Sequence, residues 1–161
     1  MKTETAIFAV GCFWKPGDIF SKTKGVVKTR AGYIGGKTKK PTYENVCGGN
    51  TGHVEATKVI FNPKEVSYGN LLDIFWKIHN PTTKDRQGVD FGSQYNSVIF
   101  YTNNSQKEAA EKSKKDMQVK IGKKIVTQIR KSHEFWEAEE YHQKYVEKQS
   151  KKGFLGKFLS S

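Results

Sequence analysis

The order of strand-like and helical segments limits the fold of this chain more than any other feature. Short apolar runs with strand character lie at 6–10, 26–34, 54–61, 97–101 and 125–129. Segments with helical character lie at about 16–22, 67–78 and 105–119. Strands and helices are mixed without strict alternation, which predicts a two-layer α+β domain with helices packed on a mixed sheet.

Polar residues mark the ends of the predicted helices. Ser67 directly precedes a set of apolar residues at helical spacing. Ser105 is a candidate N-cap, and Glu108, three residues later, would complete a capping box. Gly122 is expected to end the last helix.

Two long connections, 35–53 and 80–94, carry most of the unusual residues. Long loops in a compact domain are often functional, so we expect the site to be built from them. The single catalytic domain is expected to span 1–149. Residues 150–161 form a basic, weakly amphipathic tail that is expected to be flexible.

The net charge of +12 raises the question of nucleic-acid binding. The lysines, however, are spread over separate segments without a recognised nucleic-acid motif, which favours a solvated surface over a nucleic-acid interface. No apolar run approaches the roughly 18 residues of a membrane helix, and the N-terminus lacks a secretory apolar region. We therefore expect a cytoplasmic protein with neither nucleic acid nor membrane as partner.

The chain has two cysteines, Cys12 and Cys47, and no CxxC pair. The four histidines form no metal-ligand pattern with them. Two cysteines without a signal peptide indicate free thiols in a reducing compartment.

Cys12 ends the first apolar run and is followed at once by Phe13 and Trp14. This is a good arrangement for a nucleophile beside an apolar slot, although a small buried side chain is the simpler alternative. The following helix and the cation of Lys15 are expected to favour the thiolate.

Five motifs resemble the A-type peptide methionine sulfoxide reductases, and the resemblance extends over residues 5–148. The motifs lie at residues 11–14 (Gly-Cys-Phe-Trp), 41–55, 79–82, 90–97 and 135–145. The expected fold is then an α+β sandwich with a ferredoxin-like core and long functional loops. The implied activity is reduction of the S epimer of methionine sulfoxide, free or in proteins, as repair of oxidative damage, by a monomer. The resemblance also implies that the enzyme uses neither a metal nor a bound cofactor.

The resemblance also implies a role for each site residue. Cys12 attacks sulfur and becomes a sulfenic acid, while Glu55 gives a proton to the oxygen. The remaining assignments are hydrogen bonds to that oxygen from Tyr43 and Tyr95, a polar network ordered by Asp90, and pocket walls from Phe13 and Trp14. Without the resemblance, Glu55 would be read as a paired structural carboxylate, Asp90 as a turn residue, and the aromatics as packing residues.

The thiol that restores Cys12 is left open. Many relatives carry resolving cysteines in a C-terminal tail, whereas residues 150–161 contain none. Either Cys47 forms a disulfide with Cys12, or an external thiol such as thioredoxin, glutaredoxin or a small thiol attacks directly. The external thiol is favoured.

The chain departs from the family pattern at several positions. Lys15 and Pro16 replace a usual glycine and its neighbour, so the first turn of the helix is expected to be distorted. Asn80 and Asn96 stand where aspartate and arginine are usual, without touching the proposed chemistry. His79 is expected to cap the preceding helix.

A group near the C-terminus matches the family, but the residues alone indicate only a helix face. It consists of Glu139, Tyr141, His142 and Tyr145. We expect it to pack near the site without a chemical role.

Two other functions remain possible from the sequence. A peroxide-reducing thiol enzyme would also use an activated Cys12, but it would not explain Glu55 and the two tyrosines. A nucleic-acid-binding protein would leave Cys12 and the loop motifs without a purpose.

Overall fold

The computed structural model describes residues 2–143. The strands are β1 (Glu4–Val10), β2 (Val26–Ile34), β3 (Val54–Phe61), β4 (Arg86–Gln87), β5 (Asp90–Phe91), β6 (Ser97–Tyr101), β7 (Gln128–Lys131) and β8 (Trp136–Glu137). The α-helices are α1 (Pro16–Ser21), α2 (Tyr43–Cys47), α3 (Tyr68–Lys77) and α4 (Asn104–Lys120). Single 3-10 turns cover Ser93–Tyr95 and Glu140–His142.

Six strands form one mixed sheet in the order β7-β6-β1-β3-β2-β8. All neighbouring strands are antiparallel except β6 and β7, which are parallel. The inner strands β6-β1-β3-β2, with α1 after β1 and α3 after β3, form the predicted ferredoxin-like βαββαβ core. The α+β expectation is therefore confirmed, and β4 and β5 form a separate hairpin.

The helices cover one face of the sheet because β1 alternates its side chains between two apolar faces. Phe8 is fully buried on the helix side, with its ring 5.4 Å from Phe20 of α1 and 5.3 Å from Phe75 of α3. Burying a phenylalanine of this kind contributes about 1.5–3 kcal/mol. Ile7 and Ala9 point the other way and pack with residues of β2, β3 and β6 against Phe135.

The first residue of α3 agrees with the prediction from sequence, whereas the first residue of α4 does not. Ser67 caps α3 through a capping box with Asn70. The N-cap of α4 is Asn103, whose side chain accepts a hydrogen bond from the Gln106 amide, so the capping box predicted for Ser105 and Glu108 is wrong. The chain is extended at Asn103 and already helical at the next residue, which places Ser105 inside the first turn.

The last predicted strand is displaced toward the C-terminus, to Gln128–Lys131. Ile125 is buried in the core beside α4, but its amide bonds to the Gln118 side chain rather than to a strand. Ile125 therefore belongs to the loop before β7 and not to the strand, because its apolar side chain packs in the core while its amide bonds to a helix side chain.

The loop 35–53 contains α2, and the loop 80–94 contains the β4-β5 hairpin, so neither is structureless. The predicted flexible tail 150–161 and Tyr145 lie outside the described residues. Within residues 2–143 no helix is long and apolar enough to cross a membrane.

Candidate active site

Cys12 lies just beyond the end of β1, where the chain turns sharply at Gly11. The φ of Gly11 is 101°, and a Cβ at this residue would lie 2.7 Å from the Gln87 side chain. Glycine is therefore required both by the backbone and by the approach of the β4-β5 hairpin. The turn leaves the Cys12 thiol half-buried beside that hairpin.

Glu55 lies on the helix side of β3, paired across the sheet with Tyr33. Its side chain is 1% exposed, and its Oε1 accepts a hydrogen bond of 3.2 Å from the Phe13 amide. Its Oε2 is buried and has no hydrogen-bond partner among the residues that the structure describes. Burial, reinforced by the charge of Asp90 and opposed by the Phe13 amide, raises the pKa of Glu55 to about 8.

The structure corrects the expectation of a low thiol pKa. Burial, together with the negative charges of Glu55 and Asp90, raises the pKa of Cys12 to about 11, against a favourable hydrogen bond from the Trp14 amide. The helix dipole has little effect, because α1 has only six residues and begins four residues after Cys12. Both Cys12 and Glu55 are therefore mainly protonated at neutral pH.

Tyr43 and Cys47 are the first and last residues of α2, which begins in a capping box between Thr42 and Asn45. Burial, followed by the neighbouring Cys47 thiol, raises the pKa of the Tyr43 hydroxyl. Cys47 is exposed overall, but the buried part of its side chain raises the pKa of its thiol. The loop thus brings a phenol and a second thiol to the site together.

Tyr95 and Asp90 come from the other long loop. Burial, followed by the charges of Glu55, Cys47, Asp90 and Cys12, raises the pKa of Tyr95 to about 12. These groups therefore share one electrostatic environment, although they come from four separate segments of the chain. The structure thus places Cys12, Glu55, Asp90 and Tyr95 near one another.

The two aromatics after Cys12 have different positions. Phe13 is only 2% exposed and packs 5.6 Å from Tyr33 and 5.0 Å from His142, measured between ring centroids. Trp14 is half-buried, and its Nε1 donates to His142 Nδ1 at 2.7 Å. Phe13 therefore packs mainly in the interior, whereas Trp14 lines the cleft beside Cys12.

That cleft, the Cys12 cleft, has a volume of about 390 Å³. It lies between α1, the end of α3 and the β4-β5 hairpin. Its lining comprises Val10, Cys12, Trp14, Lys15, Pro16, Ile19, Ile78, Gln87 and Asp90. The thiol therefore opens into a space with mostly apolar walls.

Glu139 and His142 hold the site together, but not as members of a helix face. Glu139 accepts hydrogen bonds from the Tyr33 hydroxyl at 2.9 Å and from the Tyr43 amide at 3.0 Å. Although burial opposes it, these donors lower the pKa of Glu139. Glu139 precedes a 3-10 turn, and Tyr141 is exposed on that turn, so the predicted helix face is wrong.

His142 and Tyr33 were missed as site residues by reasoning from the residues themselves. His142 is 1% exposed and packs against Phe13, Trp14 and Tyr43. Burial lowers the pKa of His142, which keeps its Nδ1 available to accept from Trp14. The only signal for His142 was the family motif at 135–145.

His79, Asn80 and Asn96 stabilise the loop that follows α3. His79 Nδ1 contacts the Phe75 carbonyl at 2.7 Å, so it caps α3 as predicted. Burial lowers the pKa of His79 to about 4. Asn80 bonds through its main chain to Gln87, and Asn96 bonds to Asp85, so both fix the loop between α3 and β6.

The arrangement suits attack by a thiol on an acceptor whose oxygen receives a proton. A half-buried thiol at Cys12 and a buried, mainly neutral carboxyl at Glu55 supply the two groups that such a reaction needs. No group of three or more histidine, cysteine, aspartate or glutamate side chains within residues 2–143 could hold a metal ion.

Sequence comparisons point to one family. A model of the family described as peptide methionine sulfoxide reductase matches residues 4–156. The peptide methionine sulfoxide reductase MsrA of Methanosarcina acetivorans is 57% identical, covering 98% of this chain and 84% of that protein. MsrA of Methanococcus maripaludis is 51% identical, covering 92% of this chain and 94% of that protein.

Solved structures of the same family resemble this chain. Reduced Mxr1 from Saccharomyces cerevisiae is 37% identical, with a TM-score of 0.87 over 91% of this chain and 86% of that one. The same yeast protein in complex with Trx2 is 27% identical, with a TM-score of 0.65 over 88% of this chain and 84% of that one. The chain belongs to the peptide methionine sulfoxide reductase family.

Proposed function

We propose that this protein reduces the S epimer of methionine sulfoxide to methionine, with Cys12 as the nucleophile. One observation carries the proposal: a buried carboxyl with a free oxygen and a pKa of about 8 shares the site of a half-buried thiol. A sulfoxide oxygen leaves only when it is protonated, so a carboxylic acid that is neutral at working pH is the required group. The family match supports the substrate.

The sulfoxide oxygen is placed to accept hydrogen bonds from Glu55 and from the hydroxyls of Tyr43 and Tyr95. Asp90 orders the polar network beside them. Proton transfer from Glu55 makes the sulfur cationic, and this positive charge next to Cys12 Sγ favours loss of the thiol proton. The proton that Cys12 releases restores the Glu55 carboxyl.

The step is balanced as one thiol and one sulfoxide giving one sulfenic acid and one thioether. The Sγ of Cys12 takes the oxygen and is oxidised, while the substrate sulfur is reduced. Two equivalents of thiol then reduce the sulfenic acid, which releases water and one disulfide.

An external thiol is the proposed reductant. The exposed Cys47 is near enough for its charge to add to the effect of burial on the pKa of Cys12, but it lies on a different segment, at the end of α2. The solved complex of the yeast relative with Trx2 supports a thioredoxin partner. Direct resolution by Cys47 is the alternative. We further propose that the protein acts as a cytoplasmic monomer whose single domain ends near residue 149.

The test is reduction of each epimer of a blocked methionine sulfoxide with dithiothreitol. We expect reduction of the S epimer, and loss of activity in Cys12→Ser. Preference for the R epimer would disprove the epimer assignment, and activity surviving in Cys12→Ser would disprove the nucleophile. Equal or faster turnover of hydrogen peroxide would instead favour a thiol peroxidase.

A further inference from the structure

We propose that the Cys12 cleft binds the side chain of a residue next to methionine sulfoxide in a polypeptide, and that it selects apolar and acidic neighbours. This inference rests on the proposed function and names its substrate class. The occupant is a segment of peptide rather than the free amino acid.

The first argument is the size of the cleft. Its volume of about 390 Å³ lies within the roughly 300–1,000 Å³ of sites that hold a drug-sized ligand. Cys12 and Trp14 are two of its nine lining residues, so the cleft extends past the thiol along walls formed by the other seven. This leaves room in the cleft for a side chain next to the sulfoxide.

The second argument is the chemistry of the walls. Beyond Trp14 the cleft is lined by Val10, Pro16, Ile19 and Ile78. Val10 and Pro16 are buried, and the two isoleucines are half-buried. An apolar side chain placed there would remove its own surface and that of both isoleucines from water.

The third argument is that the hairpin wall is already in place. The Gln87 side chain accepts from the Asn80 amide at 2.8 Å and donates to the Asn80 carbonyl at 2.8 Å. Both ends of its amide are therefore used within the protein. The substrate meets a preformed wall and bears little of the cost of ordering it.

The fourth argument is the charge of Lys15. This side chain is exposed, lines the cleft and forms no ion pair within residues 2–143. The nearest acidic residue in sequence, Asp18, is paired with Lys22. Asp90 lines the same cleft, but it belongs to the network beside Cys12, so Lys15 is left to attract a carboxylate of the substrate.

The experiment uses blocked tripeptides, acetyl-Xaa-(S)-methionine sulfoxide-Xaa-amide, with leucine, alanine, aspartate or lysine as Xaa. Blocked methionine sulfoxide alone is the reference substrate. We expect kcat/KM for the leucine peptide to exceed that for the alanine peptide about tenfold. We expect the aspartate peptide to exceed the lysine peptide about twofold to fivefold at low salt, and less at high salt.

Matched variants assign these preferences to residues. Lys15→Glu should reverse the order of the aspartate and lysine peptides, whereas Lys24→Glu, the same charge change outside the cleft lining, should leave it. Ile19→Ser should reduce the leucine-to-alanine ratio. Each ratio is measured on one preparation, so it does not depend on the folded fraction.

The outcomes separate the two proposals. Failure to reduce the blocked reference would overturn the proposed function. Reduction of the reference with equal rates for the leucine and alanine peptides would overturn the cleft proposal alone. An aspartate-to-lysine ratio that Lys15→Glu leaves unchanged, or that Lys24→Glu changes equally, would overturn the role of Lys15.

Discussion

Replacing Glu55 by glutamine should slow the chemical step and, at alkaline pH, stabilise the fold. The pKa of about 8 leaves roughly nine-tenths of the Glu55 carboxyls protonated at pH 7. Positioned general acids contribute about 10²–10⁴-fold, so Glu55→Gln should lose about that factor at neutral pH. Glutamine keeps the shape of the side chain but has no proton of suitable acidity to give.

The rate of the chemical step should fall at alkaline pH. The reactive form carries protons on both Cys12 and Glu55, so the wild-type rate should be constant below about pH 8 and fall about tenfold per unit above it. Glu55→Gln should lack this fall. The assay is formation of methionine in a single turnover without reductant, because this separates the chemical step from reduction of the sulfenic acid.

The raised pKa of Glu55 also makes the stability of the protein depend on pH. The folded protein binds the Glu55 proton more tightly than the unfolded chain, with a pKa raised from 4.5 to about 8. The wild type should therefore lose stability as pH rises from about 4.5 to about 8, by roughly 4–5 kcal/mol as an upper bound. Urea unfolding of Glu55→Gln should show much less of this loss.

Two results would refute this reasoning. One is a wild-type rate that climbs through pH 8, since this would mean that a pre-formed thiolate attacks without the acid. The other is a Glu55→Gln variant that retains more than about a tenth of the rate at neutral pH.

The remaining predictions concern the oxygen site, the strand end and a helix cap. Tyr95→Phe should lower kcat/KM about tenfold in steady-state assays with little change in unfolding, because it removes one hydrogen bond to the oxygen; an unchanged kcat/KM would exclude the contact. Gly11→Ala should cost at least about 1–3 kcal/mol in urea unfolding and reduce activity, since a Cβ would meet Gln87; wild-type stability would contradict the strained turn. Asn103→Ala should cost about 1 kcal/mol, whereas Ser105→Ala should cost little; the reverse order would restore the cap predicted from sequence.

The inner sheet could be predicted because each of its strands carries its own pattern of apolar and β-branched residues. The predicted bounds of β2, β3 and β6 agree with the structure. By contrast, β8 has two residues and no periodicity of its own, and it forms only by pairing with Gly32 and Tyr33. Tertiary contact rather than local pattern creates such a strand.

The site could be predicted only where its residues lie in recognisable motifs. The contacts of Glu139 with Tyr33 and of His142 with Trp14 join residues more than a hundred positions apart. No local pattern encodes such pairs. The raised pKa of Cys12 could not be predicted from the sequence either, because it depends on burial and on the positions of Glu55 and Asp90 in the folded chain.

The nucleophile is tested most directly by the mass of the protein after one turnover without reductant. The account predicts one added oxygen on the peptide that contains Cys12, none on the peptide that contains Cys47, and reversal by dithiothreitol. Loss of two hydrogens joining Cys12 to Cys47 would contradict the external reductant while retaining the nucleophile. Formation of methionine with Cys12 unchanged would contradict the central claim.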